Sequence, residues 1–316
     1  MTSSDNSNVD PPIQLSALFF IATFGAILTY LIINLTVGNS PPGHDFWWSK
    51  EIARAFLSGE DPYAQEFNRF QVPYPLPIFV IGMLFLPFNA QLSAALFNGI
   101  TLFFLLWGMQ KSGELWRWPL FLSLPFISAF ILPQWAVLLL AAWFFPIIAP
   151  YLVLIKPQNA LPIGLAKWSW KGIFIAASIL LFTLVVYPTW PWVWLNLTEN
   201  YIYLIPFLVL PFGPLLLLSV INWKTSAGRL LFFMSLLPFR AYYDLPLLWL
   251  IPENRTQIWI LTVVSWIPAL LPLFNFEIEF VQPRWSIAIL FFPALCMLLW
   301  NHNRDQLKWL EKWKPS

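Results

Sequence analysis

LSALFFIATFGAILTYLIINLTV, residues 15–37, carries no charge over its whole length, and GIFIAASILLFTLVVYPTWPWVWLNL, residues 172–197, carries none either. Each exceeds the roughly 20 residues that a helix needs to cross a hydrocarbon layer about 30 Å thick. Lipid offers the backbone no hydrogen-bond partners, so such runs must satisfy their own N–H and C=O groups as helices rather than as open strands. The flanking sequence has the same character. Of 316 residues, 59% are hydrophobic and 10% charged, and the mean hydropathy is +0.68. A soluble domain carries about a quarter charged residues, so this chain cannot clothe a water-facing surface. The fold expected is an all-α polytopic membrane protein, a single integral membrane domain over 1–316.

Composition also excludes function classes. The net charge is +2, and the 17 Lys and Arg are scattered through inter-helix loops instead of forming a patch with aromatic neighbours, so no nucleic-acid partner is expected. Cys296 is the only cysteine and His44 and His302 the only histidines. A disulfide framework, a zinc cluster and a multi-histidine metal site are thereby ruled out. Glu60-Asp61 and Glu277/Glu279 read as solvated loop acids, so neither a metal nor a cofactor is expected. The polar tail 1–14 begins MTSSDNSNVDPP without a basic n-region, and 15–37 is too long for a signal-peptide core. It reads as a retained first span.

Tryptophans gather at the ends of the apolar runs, as at Trp47-Trp48, Trp116 to Trp118, Trp168 to Trp170 and Trp190 to Trp194, where aromatic belts meet the lipid–water boundary. Prolines fall inside the runs (Pro146, Pro150, Pro157, Pro162, Pro238, Pro246), so bent, short or paired half-helices are expected. The pattern predicts helices near 15–37, 75–88, 91–110, 119–132, 134–148, 150–166, 172–188, 203–221, 229–239, 245–252, 257–275 and 285–300, giving about nine to twelve crossings. No internal repeat is evident. Basic residues put the tail 301–316 and the loops at Lys167–Lys171 and Lys224–Arg229 in the cytoplasm, which twelve crossings with an inside N-terminus satisfy. For the first span the same rule weakly favours the opposite orientation, because Lys50, Arg54 and Arg69 all follow it.

The longest polar stretch, 38–74, contains the most informative pattern: PPGHDFWWSKEIARAFLSGEDPYAQEFNRFQVPYPLP, residues 41–77. After Asp45 the spacing is helical, with Trp48, Ile52, Ala55 and Phe56 on one face and Lys50, Glu51, Arg54 and Ser58 on the other. Such a helix suits the membrane surface. Asp45 stands where a carboxylate can cap exposed N–H groups. Gly59 ends the helix, and Asp61-Pro62-Tyr63 turns the chain.

Asp45-Phe46 after the first span, a short helix, Gly59-x-Asp61-Pro62-Tyr63, and then Tyr74-Pro75 entering the next run resemble glycosyltransferase family 87. The likeness continues at Gln134 opening a helix, at Lys156-Pro157, and at Pro238 with Tyr242-Tyr243-Asp244, so that it spans about residues 15–250. Tyr-Pro-Leu-Pro stands where the family usually has Tyr-Pro-Pro. The resemblance implies a GT-C bundle in the plasma membrane. It also implies transfer of a hexose, often mannose, from a polyprenyl-phosphate donor to a lipid or glycan acceptor, with inversion, on the extracytoplasmic side. The 38–74 segment would then face outward and be catalytic.

Within that resemblance Asp45 is the general base, since an acceptor hydroxyl becomes a good nucleophile only as a carboxylate takes its proton. Without it, Asp45 reads as a helix cap. His44 either assists by hydrogen bonding or simply faces water. Lys156 has no other charged residue between Arg117 and Lys167. It serves as a cation for the leaving phosphate or snorkels to an interface, two readings that stay open. Arg240 suits phosphate by its planar fork, and its spacing from Asp244 allows an i,i+4 ion pair on one helical face. Tyr242 and Tyr243 flank a sugar or anchor the interface. The competing class is a multi-span transporter or lipid flippase, for which broken helices and embedded charges are equally apt. A third is a scaffold whose charges merely pair.

Overall fold

The computed structural model describes residues 13–35, 45–67, 70–71, 74–199, 203–270 and 284–311, with the backbone alone for 66–67, 70–71 and 304–311. Their architecture is all-α apart from a two-residue antiparallel ladder pairing Glu66–Phe67 with Phe70–Gln71 and one isolated bridge, Leu204 to Phe239.

Among the described residues two helices are long and apolar enough to cross a bilayer, α1 (Leu15–Leu35) and α4 (Ala90–Lys111). The buried side of α1 repeats every three or four residues as Leu18, Ala22, Gly25, Thr29 and Ile33. Phe19, Phe20, Phe24 and Leu31 stay exposed on its other side. That exposed apolar stripe is the face a lipid environment would cover. Small residues, Ala22, Gly25, Ala26 and Gly99, let α1 and α4 approach closely. Asn98 Nδ2 cements the seam by donating to Thr29 Oγ1 (3.1 Å) and to the Phe130 carbonyl (2.7 Å).

Between them lie α2 (Asp45–Ser58) and α3 (Phe79–Leu84). Gly59, at φ +75°, follows the end of α2, as its place in the sequence predicts. The expected polar face of α2 needs correcting. Lys50 and Ser49 are buried, and Lys50 Nζ donates to the Phe88 carbonyl. The Lys50 flank is packed into protein, while Arg54, Leu57 and Ser58 stay exposed on the rest of that face. Gly82 of α3 sits so close that a Cβ there would fall 1.9 Å from the Ser49 carbonyl oxygen. Burial, and next the neighbouring Arg54 charge, push the Lys50 amine below its usual range.

Prolines then shorten nearly every element, by removing donors and clashing with the preceding turn. The helices α5 (Leu124–Ile131) and α6 (Ala136–Phe144) meet at 114° across Pro133, and α9 (Trp170–Val186) and α10 (Trp190–Thr198) meet at 97° across Pro188. Counting each bent pair as one span gives up to four membrane-length units among the described residues. The helix expected over 150–166 is two, α7 (Ala149–Ile155) and α8 (Pro157–Ala166), split at Lys156. The residue before a proline is pushed out of the helical region, and Lys156 sits at φ −136°, ψ 72°. The helix expected over 203–221 gives way to 3-10 turns at Pro206–Leu208 and Pro214–Asn222, each opened by a proline. The chain continues through α11 (Ser226–Leu236), a 3-10 helix Tyr242–Leu250, α12 (Arg255–Val264), α13 (Ile267–Leu270) and α14 (Phe292–Glu311), the last entered by a π turn at Ile287–Phe291. Glu277, Glu279 and His44 lie outside the described residues.

Candidate functional site

Asp45 is the first residue of α2 rather than the residue ahead of it, where a negative charge complements the exposed N–H groups of the first turn. Its carboxylate is half-buried, and Tyr74 OH donates to Oδ2 at 2.8 Å across 29 positions of sequence. Tyr74 is fixed in turn by Pro75 and the 3-10 turn Leu76–Ile78 that follows, and its ring lies 6.1 Å from that of Trp135. Burial first, and then the Asp45 carboxylate, hold the Tyr74 phenol well above its ordinary range, with further influence from Tyr243 and Asp244. Tyr74 therefore keeps its proton and acts as a permanent donor. It is also within electrostatic reach of a second group, remote in sequence.

The second group centres on Asp244. Lys156 Nζ reaches Asp244 Oδ1 at 2.8 Å, and Asn159 Nδ2 donates to the same oxygen at 2.6 Å. The backbone N–H groups of Arg240 and Ala241 both lie 3.3 Å from Oδ2. Lys156 is 6% exposed and Asp244 3%, so the ion pair is a buried one. Removing two charges from water is costly, and only this density of hydrogen bonds makes the pair tolerable. Lys156 does not snorkel. The break before Pro157 swings it inward, with Nζ 5.6 Å from the centre of the Tyr243 ring.

The i,i+4 reading of Arg240 and Asp244 fails because the premise of one helix fails. Phe239 is bridged to Leu204, Ala241 is extended at φ −139°, ψ 162°, and helical turns begin only at Tyr242. Asp244 thus takes its cation from 88 positions away. Arg240 instead lines a cavity of about 360 Å³ together with Ala241, Tyr242 and Tyr243, and with Ser128 and Ile131 of α5 and the following Leu132. Tyr242 has its hydroxyl committed to the Ser265 carbonyl at 2.7 Å. It is a buried brace whose ring also packs 5.1 Å from Trp285, whereas Tyr243 is only half-buried. Arg117 locks the far end of this 3-10 helix by donating to the carbonyls of Trp249 (2.9 Å) and Pro252 (2.7 Å).

Of the residues singled out in the sequence, Asp45 bonds to Tyr74, Lys156 and Asp244 pair beside Tyr243 within electrostatic reach of that phenol, and Arg240 lines the cavity next to Tyr243. Tyr74 and Asn159 were not marked for these contacts. Tyr74 sits in the quoted Tyr-Pro pair and Asn159 three residues after Lys156, but neither spacing names its partner. A larger groove of about 760 Å³, lined by Leu204, Leu208, Val209, Leu210, Arg284 and Trp285 among others, lies beyond the Leu204–Phe239 bridge. Compared with family models, curated proteins and solved structures, the chain matches none of them.

Proposed function

We propose that the chain is a GT-C-type membrane glycosyltransferase. On this reading it moves a hexose, mannose by the family resemblance, from a polyprenyl-phosphate donor to a lipid or glycan acceptor, with inversion. The observation that carries the proposal is the hydrogen bond from Tyr74 to the half-buried Asp45 carboxylate, with the Tyr243–Asp244 segment within electrostatic reach of the same phenol and Arg240 lining a cavity beside Tyr243. Displacement at a glycosyl phosphate requires a base for the acceptor and a cation for the leaving phosphate, the roles proposed for Asp45 and Arg240.

In the proposed reaction Asp45 takes the proton of the acceptor hydroxyl as that oxygen bonds to the anomeric carbon. The bond from that carbon to the phosphate oxygen breaks on the opposite face, and polyprenyl phosphate leaves. Arg240 holds the charge that builds on the departing phosphate, its fork matching two phosphate oxygens. Lys156 has a different task. Its charge is matched by Asp244, and the pair pins the Arg240–Asp244 segment in place. The 760 Å³ groove, mostly aliphatic with Arg284 among its lining, offers a bed for the donor's lipid. In this reading the shorter elements pair to bring the crossings to nine to twelve in the plasma membrane. The 38–74 segment faces outward, and the basic loops and tail face the cytoplasm.

The test is transfer from labelled polyprenyl-phosphate sugars, several hexoses in parallel, to endogenous acceptors in membranes carrying the wild type or Asp45→Asn. Transfer by the wild type alone is expected. Robust transfer by the variant would remove Asp45 as the base, and no transfer by either with any donor would favour the transporter or flippase class.

A further inference from the structure

Lys167 and Lys171 flank the turn from α8 into α9, and Lys224 and Arg229 flank the start of α11. Residues 115–198 and 200–243 contain no acid, so neither turn carries a counter-charge of its own. The turns are remote in sequence, and one side chain joins them. Arg229 Nη2 donates to the Ala166 carbonyl at 2.8 Å, while Nη1 donates to the carbonyls of Trp223 (3.0 Å) and Lys224 (3.3 Å). Lys167 is held as well, its Nζ donating to the Trp143 carbonyl at 2.9 Å and lying 4.1 Å from the centre of a Trp143 ring. The acid whose field reaches Lys167, Glu114, is itself paired with Arg117. Lys171 and Lys224 are different. Both are exposed, and among the described residues neither ammonium has a hydrogen bond or an ion pair. Two fixed cations thus frame two free ones.

The aromatic residues around them narrow what meets these charges. Trp168 is 55% exposed and Trp170 75%, with ring centres 5.3 Å apart. Trp223 is exposed beside Lys224, its ring edge-on to Phe232 and Phe233. Indoles so placed anchor a protein at the lipid–water boundary. Directly beyond Lys171, α9 presents the exposed apolar side chains Phe174, Ile175, Leu181 and Val185. Hydrocarbon-facing residues on one side and bare ammonium groups on the other set the lysines at the depth of lipid headgroups. A soluble polyanion would meet only two free cations inside a bulky indole rim. A phospholipid matches both parts, its phosphate to the lysines and its acyl chains to the helix face. We infer that residues 167–171 and 223–229 form one docking surface for anionic phospholipids of the surrounding bilayer. Lys171 and Lys224 are its headgroup contacts, and Arg229 is the clasp that holds the two turns together. These lipids are neither donor nor acceptor, and the surface does not rest on the glycosyltransferase reading.

The experiment is native mass spectrometry of the full chain, released from detergent micelles doped with equal amounts of phosphatidylglycerol and phosphatidylcholine of matched acyl chains. The wild type should retain the anionic lipid in clear excess. A lysine near an anionic surface is worth about fivefold in binding. Lys171→Gln and Lys224→Gln should therefore each cut the excess about fivefold, and the double variant at least tenfold by the same rule. Because neither ammonium is paired, the unfolding midpoints should stay at the wild-type value. Arg54→Gln removes a charge from α2, outside this surface, and should leave the preference unchanged. Equal retention of the two lipids by the wild type, or an excess that survives in the double variant, overturns the inference. So does an equal loss in Arg54→Gln, which would leave net charge alone as the cause. Displacement of the lipid by an equal concentration of glycerol phosphate, or of a short oligonucleotide, would also overturn it by making a free anion the ligand.

Discussion

Two carboxylates act on the Tyr74 phenol, and their surroundings differ in kind. Asp244 is almost fully enclosed, and its two oxygens face one ammonium, one amide and two backbone N–H groups. Asp45 is half-buried and receives the Tyr74 hydroxyl on Oδ2. A carboxylate with its lone pairs filled is a fastener, since taking a proton would break the bonds that justify its burial. A carboxylate oriented by one strong donor and still reached from outside keeps capacity to accept a proton. On the proposed reading the contrast gives Asp244 a structural role and Asp45 the chemistry, although both are acids of the same type.

The widest separation should come from Asp45→Asn, which keeps the shape and removes the base. We expect transfer to fall about 10²–10⁴-fold, the usual worth of a positioned general base. Asp244→Ala tests the opposite role. It leaves Lys156 buried without its counter-charge and should cost about 3–5 kcal/mol of stability, read as a lowered unfolding midpoint. The double change Lys156→Met with Asp244→Leu should recover most of that loss, because the uncompensated charge goes too. Arg240→Gln should lower transfer about 10²-fold with little effect on the midpoint, and Arg240→Lys should lose less. Tyr74→Phe keeps the ring beside Trp135 and deletes one hydrogen bond to a charged group, so a fall of about tenfold in transfer is expected.

The smallest effect is one of pH. Burial raises the Tyr63 and Tyr74 phenols above their ordinary range. The unfolded phenols ionise first, near about pH 10. Their contribution to stability is therefore complete below that pH and declines as pH climbs above it. A titration of the unfolding midpoint should show that decline, with a shallower slope in Tyr74→Phe.

Much of this was legible before any coordinates. The uncharged run 15–37 yields α1, Gly59 follows the end of α2, and the prolines announce that long apolar stretches break. What sequence spacing missed is what long-range packing decides. Arg240 and Asp244 are four apart, yet a bridge from Phe239 to Leu204 keeps the first of them out of any helix. The cation that Asp244 uses lies 88 positions away, and only the break before Pro157 turns it inward. Lys50 has the look of a solvent-facing residue by helical period, but Gly82 allows α3 so close to α2 that this flank is closed off. Tyr74 was visible as part of a Tyr-Pro pair, and its contact with Asp45 was not.

Transfer and unfolding of Asp45→Asn, measured side by side on one preparation with the wild type as reference, probe the division of labour between the two carboxylates most directly. The proposed glycosyltransferase function predicts at least a hundredfold fall in sugar transfer with an unfolding midpoint close to that of the wild type, the scale expected for loss of a general base. An active Asp45→Asn variant, or one whose loss of transfer follows a collapse of its midpoint, would contradict it.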